Sequence, residues 1–234
     1  MKIALLGYGK MGKSIELMAK KRGHEIVAII DKDNPNDSLN NADVAINFST
    51  PFSAVQNIKH ALKHNVAVVC GTTGWLENLN EVEKSCIENG GGFLYASNFS
   101  LGVNLFFSLN KKFAKIMSNY DQYKPSIEEV HHTEKIDTPS GTAITLAEEV
   151  LAYNNLKTWE LVGNHSKDNL PIKSKRQAKI PGTHSLTYES EIDLIRIEHI
   201  AKNRDGFSLG AVIAAEWING KSGIFNMNDV LNIN

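Results

Sequence analysis

Ile3-Ala4-Leu5-Leu6-Gly7-Tyr8-Gly9-Lys10-Met11-Gly12 is the stretch that decides the fold of this chain. A continuous apolar run leads directly into G-x-G-x-x-G. The residues that follow have helical spacing through Ile15, Met18 and Ala19, so the segment reads as strand, tight turn and helix. Gly7 permits the turn, Gly9 lets the backbone approach a pyrophosphate, and Gly12 allows close helix–strand packing. The free N–H groups at the helix start complete an anion site. Gly7, Tyr8, Gly9, Lys10, Met11 and Gly12 are therefore expected to hold a dinucleotide.

Outward from this turn the pattern repeats. Glu25–Asp31 is apolar and ends in an acid. Asp43–Ser49, Val66–Cys70 and Phe93–Ala96 are further strand candidates. Helical segments after Pro51 and over Leu76–Asn89 separate them. Such alternation implies a parallel sheet covered on both faces. Asp31 would accept the ribose hydroxyls of NAD(H), whereas Lys32 would pair with the 2′-phosphate of NADP(H), so NADH and NADPH both stand. The carboxyl ends of parallel strands line the ligand crevice. That brings in Gly71, Thr72 and Thr73 after one strand and Ala96, Ser97, Asn98 and Phe99 after another, as partners for a nicotinamide carboxamide.

Near residue 100 the pattern changes. Leu101–Met117 reads as a longer helix, Ser126–His132 as a strand and Pro139–Tyr153 as a helix. Asn154–Lys175 is polar and poorly patterned. Over Leu186–Ile200 apolar and acidic residues alternate, as in an antiparallel sheet with one open face. The fold class expected is α/β. A Rossmann-type parallel sheet domain (1–100, joined by a C-terminal helix over 208–234) carries an inserted α+β substrate and oligomerisation domain (101–207) with a mostly antiparallel open sheet.

Composition narrows the function. The 234 residues are 42% hydrophobic and 22% charged, with Lys+Arg 25 against Asp+Glu 26 and a formal net charge of -1. No global field of that size recruits nucleic acid or an anionic membrane. The apolar run at Met1–Gly7 is too short for a signal peptide, and no apolar stretch approaches the roughly 20 residues that span a bilayer. Two cysteines, Cys70 and Cys86, without C-x-x-C spacing fit a reducing, cytoplasmic setting.

The segment Glu128-Glu129-Val130-His131-His132-Thr133-Glu134-Lys135-Ile136-Asp137-Thr138-Pro139-Ser140-Gly141-Thr142-Ala143 carries the chemistry. On a strand, Glu129, His131, Thr133 and Lys135 would share one face and His132 the other. Adjacent histidines then chelate poorly, and no third ligand stands at zinc spacing, so no metal is expected. One histidine acting as proton donor or acceptor is the better use, because imidazole titrates near neutrality. Thr138 reads as a helix N-cap with Pro139 in the first turn. The N–H groups of Ser140, Gly141 and Thr142, with Lys135 nearby, form a carboxylate site.

These residues resemble the dihydrodipicolinate reductase family, whose signature of Glu, His-His and Lys-x-Asp-x-Pro-Ser-Gly-Thr-Ala is matched by Glu129 to Ala143. Gly9–Gly12, Gly71–Gly74, Asn98–Asn104 and Glu198–Trp217 extend the resemblance over most of the chain. It implies a cytoplasmic homotetramer that reduces a cyclic imine or enamine dicarboxylate with NADH or NADPH, giving tetrahydrodipicolinate in the diaminopimelate route to lysine. It further implies that His131 is the acid/base and Lys135 its catalytic partner. His132, Lys135, Ser140, Gly141 and Thr142 would bind substrate. That places both histidines in one site, against strict strand alternation. Lys10 replaces the family's usual arginine, and Ala178 stands where glycine usually follows Arg176 by two. Other Rossmann oxidoreductases acting on amino or hydroxy acids, and a non-catalytic NAD(P)-sensing module, are the alternatives.

Overall fold

The computed structural model describes residues 1–34, 38–163 and 166–233. The first half runs β1 (Lys2–Leu6), α1 (Lys10–Lys21), β2 (Glu25–Ile30), β3 (Val44–Asn47), α2 (Pro51–Lys63), β4 (Ala67–Cys70), α3 (Leu79–Glu88) and β5 (Gly92–Tyr95). It continues with α4 (Leu101–Met117), β6 (Lys124–His131), α5 (Gly141–Leu151), β7 (Trp159–Leu161), β8 (Leu170–Arg176), β9 (Gly182–Glu189) and β10 (Leu194–Ala201). The chain closes with α6 (Asp205–Ile218), β11 (Gly223–Phe225) and α7 (Met227–Leu231). Two compact units result, Met1–Leu101 with Asp205–Asn234, and Gly102–Arg204.

The first unit holds a six-stranded sheet in the order β11-β5-β4-β3-β1-β2, parallel throughout. Both faces are buried. Ala4, Leu6, Ala45 and Val68 pack with Ala54, Ile58, Leu62, Val82 and Cys86 of α2 and α3. On the opposite face Ile3, Leu5, Val44, Ile46, Val69 and Leu94 meet Ile15 and Ala19 of α1 and Ala211, Ala214, Ala215 and Ile218 of α6. This explains why β3 and β4 lack alternation: every one of their residues is buried. Strand order reverses between β1 and β3, which by the switch-point rule puts the ligand crevice beyond their carboxyl ends.

The helix expected over 208–234 is not one helix. It stops at Ile218, and Gly220, at φ +75°, supplies the left-handed exit that favours glycine. The chain then adds β11 beside β5 before the short α7.

The second unit is a five-stranded sheet in the order β10-β9-β6-β8-β7. The mostly antiparallel pattern expected here is mixed. β10–β9 and β9–β6 pair antiparallel, whereas β6–β8 and β8–β7 pair parallel. The polar stretch 154–175 conceals β7 and all of β8 but its last residue. The connection through α5 returns the chain to the same end of the sheet, which imposes parallel pairing. The alternating run over 186–200 is a hairpin, folded back where Ser190 N–H donates to Asp193 O at 2.9 Å. One side of the sheet is covered by α4 and α5, with Phe106, Phe113, Ala143, Leu146, Ala147 and Val150 packed on Ile127, Ile172, Leu186 and Tyr188.

Candidate active site

The loops leaving the first sheet are laced together by backbone bonds that continue the strand ladders. Gly7 N–H donates to Ile30 O (2.8 Å), Phe48 to Leu6 (2.9 Å), Gly71 to Asn47 (3.0 Å) and Ala96 to Cys70 (3.2 Å). The three glycine-loop and strand-end groups expected from sequence therefore share one edge. Gly7 sits at φ +95°, and a Cβ there would lie 2.3 Å from Phe48 O. A Cβ on Gly12 would lie 2.4 Å from Gly7 O, so this glycine sets the closeness of helix and turn. Gly9 differs: nothing lies within 4 Å of its Cβ position. It is the N-cap of α1, where no side chain caps the free N–H groups. An open glycine at an uncapped helix start fits a dinucleotide pyrophosphate.

Lys10, Lys32, Thr73 and Ser97 are exposed at this edge, and Tyr8, Met11, Asp31, Ala96 and Asn98 are half-buried. The Tyr8 hydroxyl donates to Glu16, and Lys13 stands over its ring at 5.7 Å. Lys32 N–H donates to Asp31 Oδ1 (2.9 Å). Thr72 is buried: its hydroxyl accepts from Ser49 N–H (2.9 Å), and its carbonyl accepts from Trp75 Nε1 (2.6 Å). Phe99 belongs to the core, its ring 5.6 Å from that of Phe48. Only its main chain can meet a ligand. Phe48, absent from the expected set, fills the space that a side chain at Gly71 would need.

In the second unit β6 ends at His131, so the alternation expected through Thr133 and Lys135 stops there. Of the four residues expected on one face, Glu129 and His131 lie on its buried face, with Ile127. Thr133 and Glu134 form a turn in which Lys135 N–H donates to His132 O (3.2 Å). Leaving the strand frees His132 from the opposite face, and its Nε2 lies 3.3 Å from Arg204.

At the centre is Glu129, fully buried. Its Oε1 accepts from Ser174 Oγ (2.7 Å) and Arg176 (3.4 Å), and its Oε2 from Ser140 N–H (3.1 Å). His131 Nδ1 lies 3.2 Å from Oε2, within ion-pair range though off the hydrogen-bond axis. Burial alone would push this carboxyl up. The donors His131, Ser140 and Ser174 outweigh it and hold Glu129 ionised far below the usual carboxylate range. His131 Nε2 carries no hydrogen bond among the described residues. A Cβ on Gly182 would crowd that atom at 3.1 Å, so a glycine opposite the histidine leaves it room.

Lys135 Nζ is held by both oxygens of Asp137 at 2.8 Å. Arg176 fastens the same loop by donating to Lys135 O (3.4 Å), Asp137 O (2.7 Å) and Thr138 Oγ1 (2.6 Å). Thr138 does not cap α5, which starts at Gly141. The cap is Ser140, whose Oγ accepts from Ala143 N–H (3.2 Å). Ser140 N–H is committed to Glu129, so the amides left free at the helix start are those of Gly141 and Thr142. Lys179 takes up the left-handed backbone in the loop after Arg176 (φ +64°), and Ala178 does not.

Sequence reasoning missed His184. It lies directly across from Glu129 on β9, and its ring centroid is 4.9 Å from that of His131. Glu129, His131 and His184 each place a possible ligand atom within 4.8 Å of the others, a grouping that sequence spacing hides because β9 supplies the third member. Arg176 shares the Glu129 carboxylate, so a cation there would meet positive charge.

Burial, reinforced by the His131 charge, pushes His184 down to about 3 from an ordinary 6.5. Below pH 6.5 the unfolded chain gains a proton that the folded chain refuses, so stability falls with pH until about 3. The expected slope is at most about 1.4 kcal/mol per pH unit. Denaturant unfolding at pH 7 and 5 should show wild type losing about 2 kcal/mol more than His184→Gln. Equal losses would mean that His184 charges without penalty.

Comparison with known proteins bears on both units. Residues 1–99 match the family model described as dihydrodipicolinate reductase, N-terminus, and residues 102–231 the one described as dihydrodipicolinate reductase, C-terminus. A 4-hydroxy-tetrahydrodipicolinate reductase of Christiangramia forsetii is 52% identical over 234 residues, covering 99% of this chain and 98% of that protein. The protein of the same name from Rickettsia rickettsii is 36% identical, with 96% of each covered. Among solved structures, dipicolinate-bound dihydrodipicolinate reductase from Paenisporosarcina sp. TG-14 superposes with a TM-score of 0.78 at 23% identity, over 98% of each chain. The superposition shows a common fold. No helix of the described residues is long and apolar enough to cross a membrane.

Proposed function

This chain belongs to the dihydrodipicolinate reductase family, and from that premise we propose how its residues divide the work. It is a 4-hydroxy-tetrahydrodipicolinate reductase acting on a cyclic dicarboxylate. Gly7 to Gly12, with Asp31 and Lys32, hold the dinucleotide, and Gly71–Thr73 with the Ala96–Phe99 main chain receive the nicotinamide end. NADH or NADPH bound there would supply the hydride. The observation that carries the reading is the short path from Glu129 to Thr142, which sets an imidazole, an ammonium and two free helix amides in one loop.

Lys135 exchanges Asp137 for a substrate carboxylate, and the Gly141 and Thr142 amides, with the Ser140 hydroxyl, receive it. His132 borders the ring. His131 exchanges the proton at Nε2, its other nitrogen turned to Glu129. That carboxylate orients the ring, as an acid beside a catalytic histidine does. Arg176 keeps the loop in place from the far side.

The test is oxidation of NADH and of NADPH with substrate generated in situ by the preceding synthase, wild type against Lys135→Met. The variant is expected to raise KM for the dicarboxylate about 10²-fold, the size of losing one partner of a desolvated charge pair. Cofactor KM should not move. Wild type that binds cofactor without turnover would overturn the reading. The ratio of the two cofactors decides between the Asp31 and Lys32 contacts. We assign the enzyme to the cytoplasm as a homotetramer. The two cysteines without C-x-x-C spacing support the compartment, and the family resemblance with the exposed Leu194, Ile195 and Ile200 on edge strand β10 supports the assembly.

A further inference from the structure

Ser140 Oγ has one proton and two lone pairs. One lone pair is used by the cap, where Ala143 N–H donates to it at 3.2 Å. The other close partner is His184 Nε2 at 3.1 Å, both residues being almost fully buried. The direction of that second bond decides what Ser140 can do. If Nε2 is bare, it accepts the hydroxyl proton, and Ser140 has nothing to offer a ligand. If Nε2 carries the proton, Ser140 accepts twice and its own proton points elsewhere.

Two features favour the second arrangement. Glu129 Oε2 lies 3.8 Å from His184 Nε2, so the ionised carboxylate attracts a proton to that nitrogen and not to the far one. Nδ1 of His184 is buried with no partner among the described residues. A proton there would be an orphaned buried donor, a rarer and costlier defect than a bare acceptor. The cross-strand register puts Glu129 and His184 opposite each other, so the choice is built into the β6–β9 ladder.

We propose that His184 is a positioning residue of the carboxylate site: its Nε2–H donates to Ser140 Oγ and leaves the Ser140 hydroxyl proton for the substrate carboxylate. The proposal rests on the reading of Ser140 as a carboxylate ligand. His184 touches no reacting atom. It sets the hydrogen-bond polarity of a residue that touches substrate, which is why a histidine with no proton to exchange near neutrality occupies the site.

Two measurements test it. Long-range proton–nitrogen NMR of the wild-type protein, with the His184 signals assigned by their loss in His184→Gln, reads the tautomer directly. Nε2–H is expected, and Nδ1–H overturns the proposal whatever the variants do. Calorimetric affinity for dipicolinate, the ligand of the Paenisporosarcina relative, gives the second test. His184→Phe removes the donor and should weaken binding about tenfold, roughly one hydrogen bond to a charged group. His184→Gln keeps an N–H at similar reach and should stay within about twofold. In Ser140→Ala the further change His184→Phe should add nothing, because the two act through one hydroxyl. Additive losses, or a His184→Phe protein with unchanged affinity, overturn the role of His184. If Ser140→Ala itself binds dipicolinate normally, the carboxylate reading of Ser140 fails first and the proposal with it.

Discussion

His131→Ala is expected to lower kcat by about 10²–10⁴-fold, the usual contribution of a placed general acid or base. KM for the reduced cofactor should hold, because the dinucleotide loops belong to the first unit. The size follows from how strongly the ring is constrained. Its Nδ1 faces a buried carboxylate at 3.2 Å, its back lies against His184, and Gly182 leaves space beside Nε2. A proton-exchanging atom held this way needs little reorganisation at the moment of transfer. Single-turnover kinetics monitoring reduced nicotinamide would separate the chemical step from product release. A variant with wild-type single-turnover rate would move the proton-transfer role away from His131, with Lys135 the next candidate.

Glu129→Ala is expected to cost the second unit about 3–5 kcal/mol, the range for removing one member of a buried charged group. The carboxylate accepts from the Ser140 amide, the Ser174 hydroxyl and the Arg176 guanidinium, and lies within ion-pair range of His131. Without it the amide and hydroxyl become buried donors with no acceptor, and Arg176 loses its one carboxylate partner among the described residues. Glu129→Gln keeps the shape but presents an N–H to one of those donors, so it should fall between wild type and alanine. Urea titration would read the loss as a lower midpoint at unchanged slope. The pH dependence has a definite sign. The folded carboxyl sits below its ordinary 4.5, so its stabilisation is complete above that pH and is lost as pH falls below it. Glu129→Ala should therefore flatten the acid limb of the stability curve below pH 4.5. A variant as stable as wild type at pH 7, with an unchanged acid limb, would show that the three donors find other acceptors.

Much of this protein was legible along the chain. Period and length of the apolar runs determined the parallel sheet, since strands buried on both faces must be apolar throughout. The glycine turn declared its own geometry, because Gly7 and Gly12 meet backbone too closely for any other residue. Residues 129–142 named the histidine, the lysine and the anion-binding helix start, because those residue types stand close together in sequence. Tertiary structure decided what those groups are tied to. Ser174 and Arg176 reach Glu129 from β8, 45 and 47 residues downstream, and His184 from β9, farther along still. Strand pairing of that kind leaves no periodicity in sequence. Tertiary structure also set the first turn of α5 at Gly141, so the cap is Ser140 and not Thr138, which Arg176 holds in the preceding loop. Local propensity therefore set the elements and supplied the reactive groups, while cross-strand register fixed which nitrogen, hydroxyl and amide each of them has free.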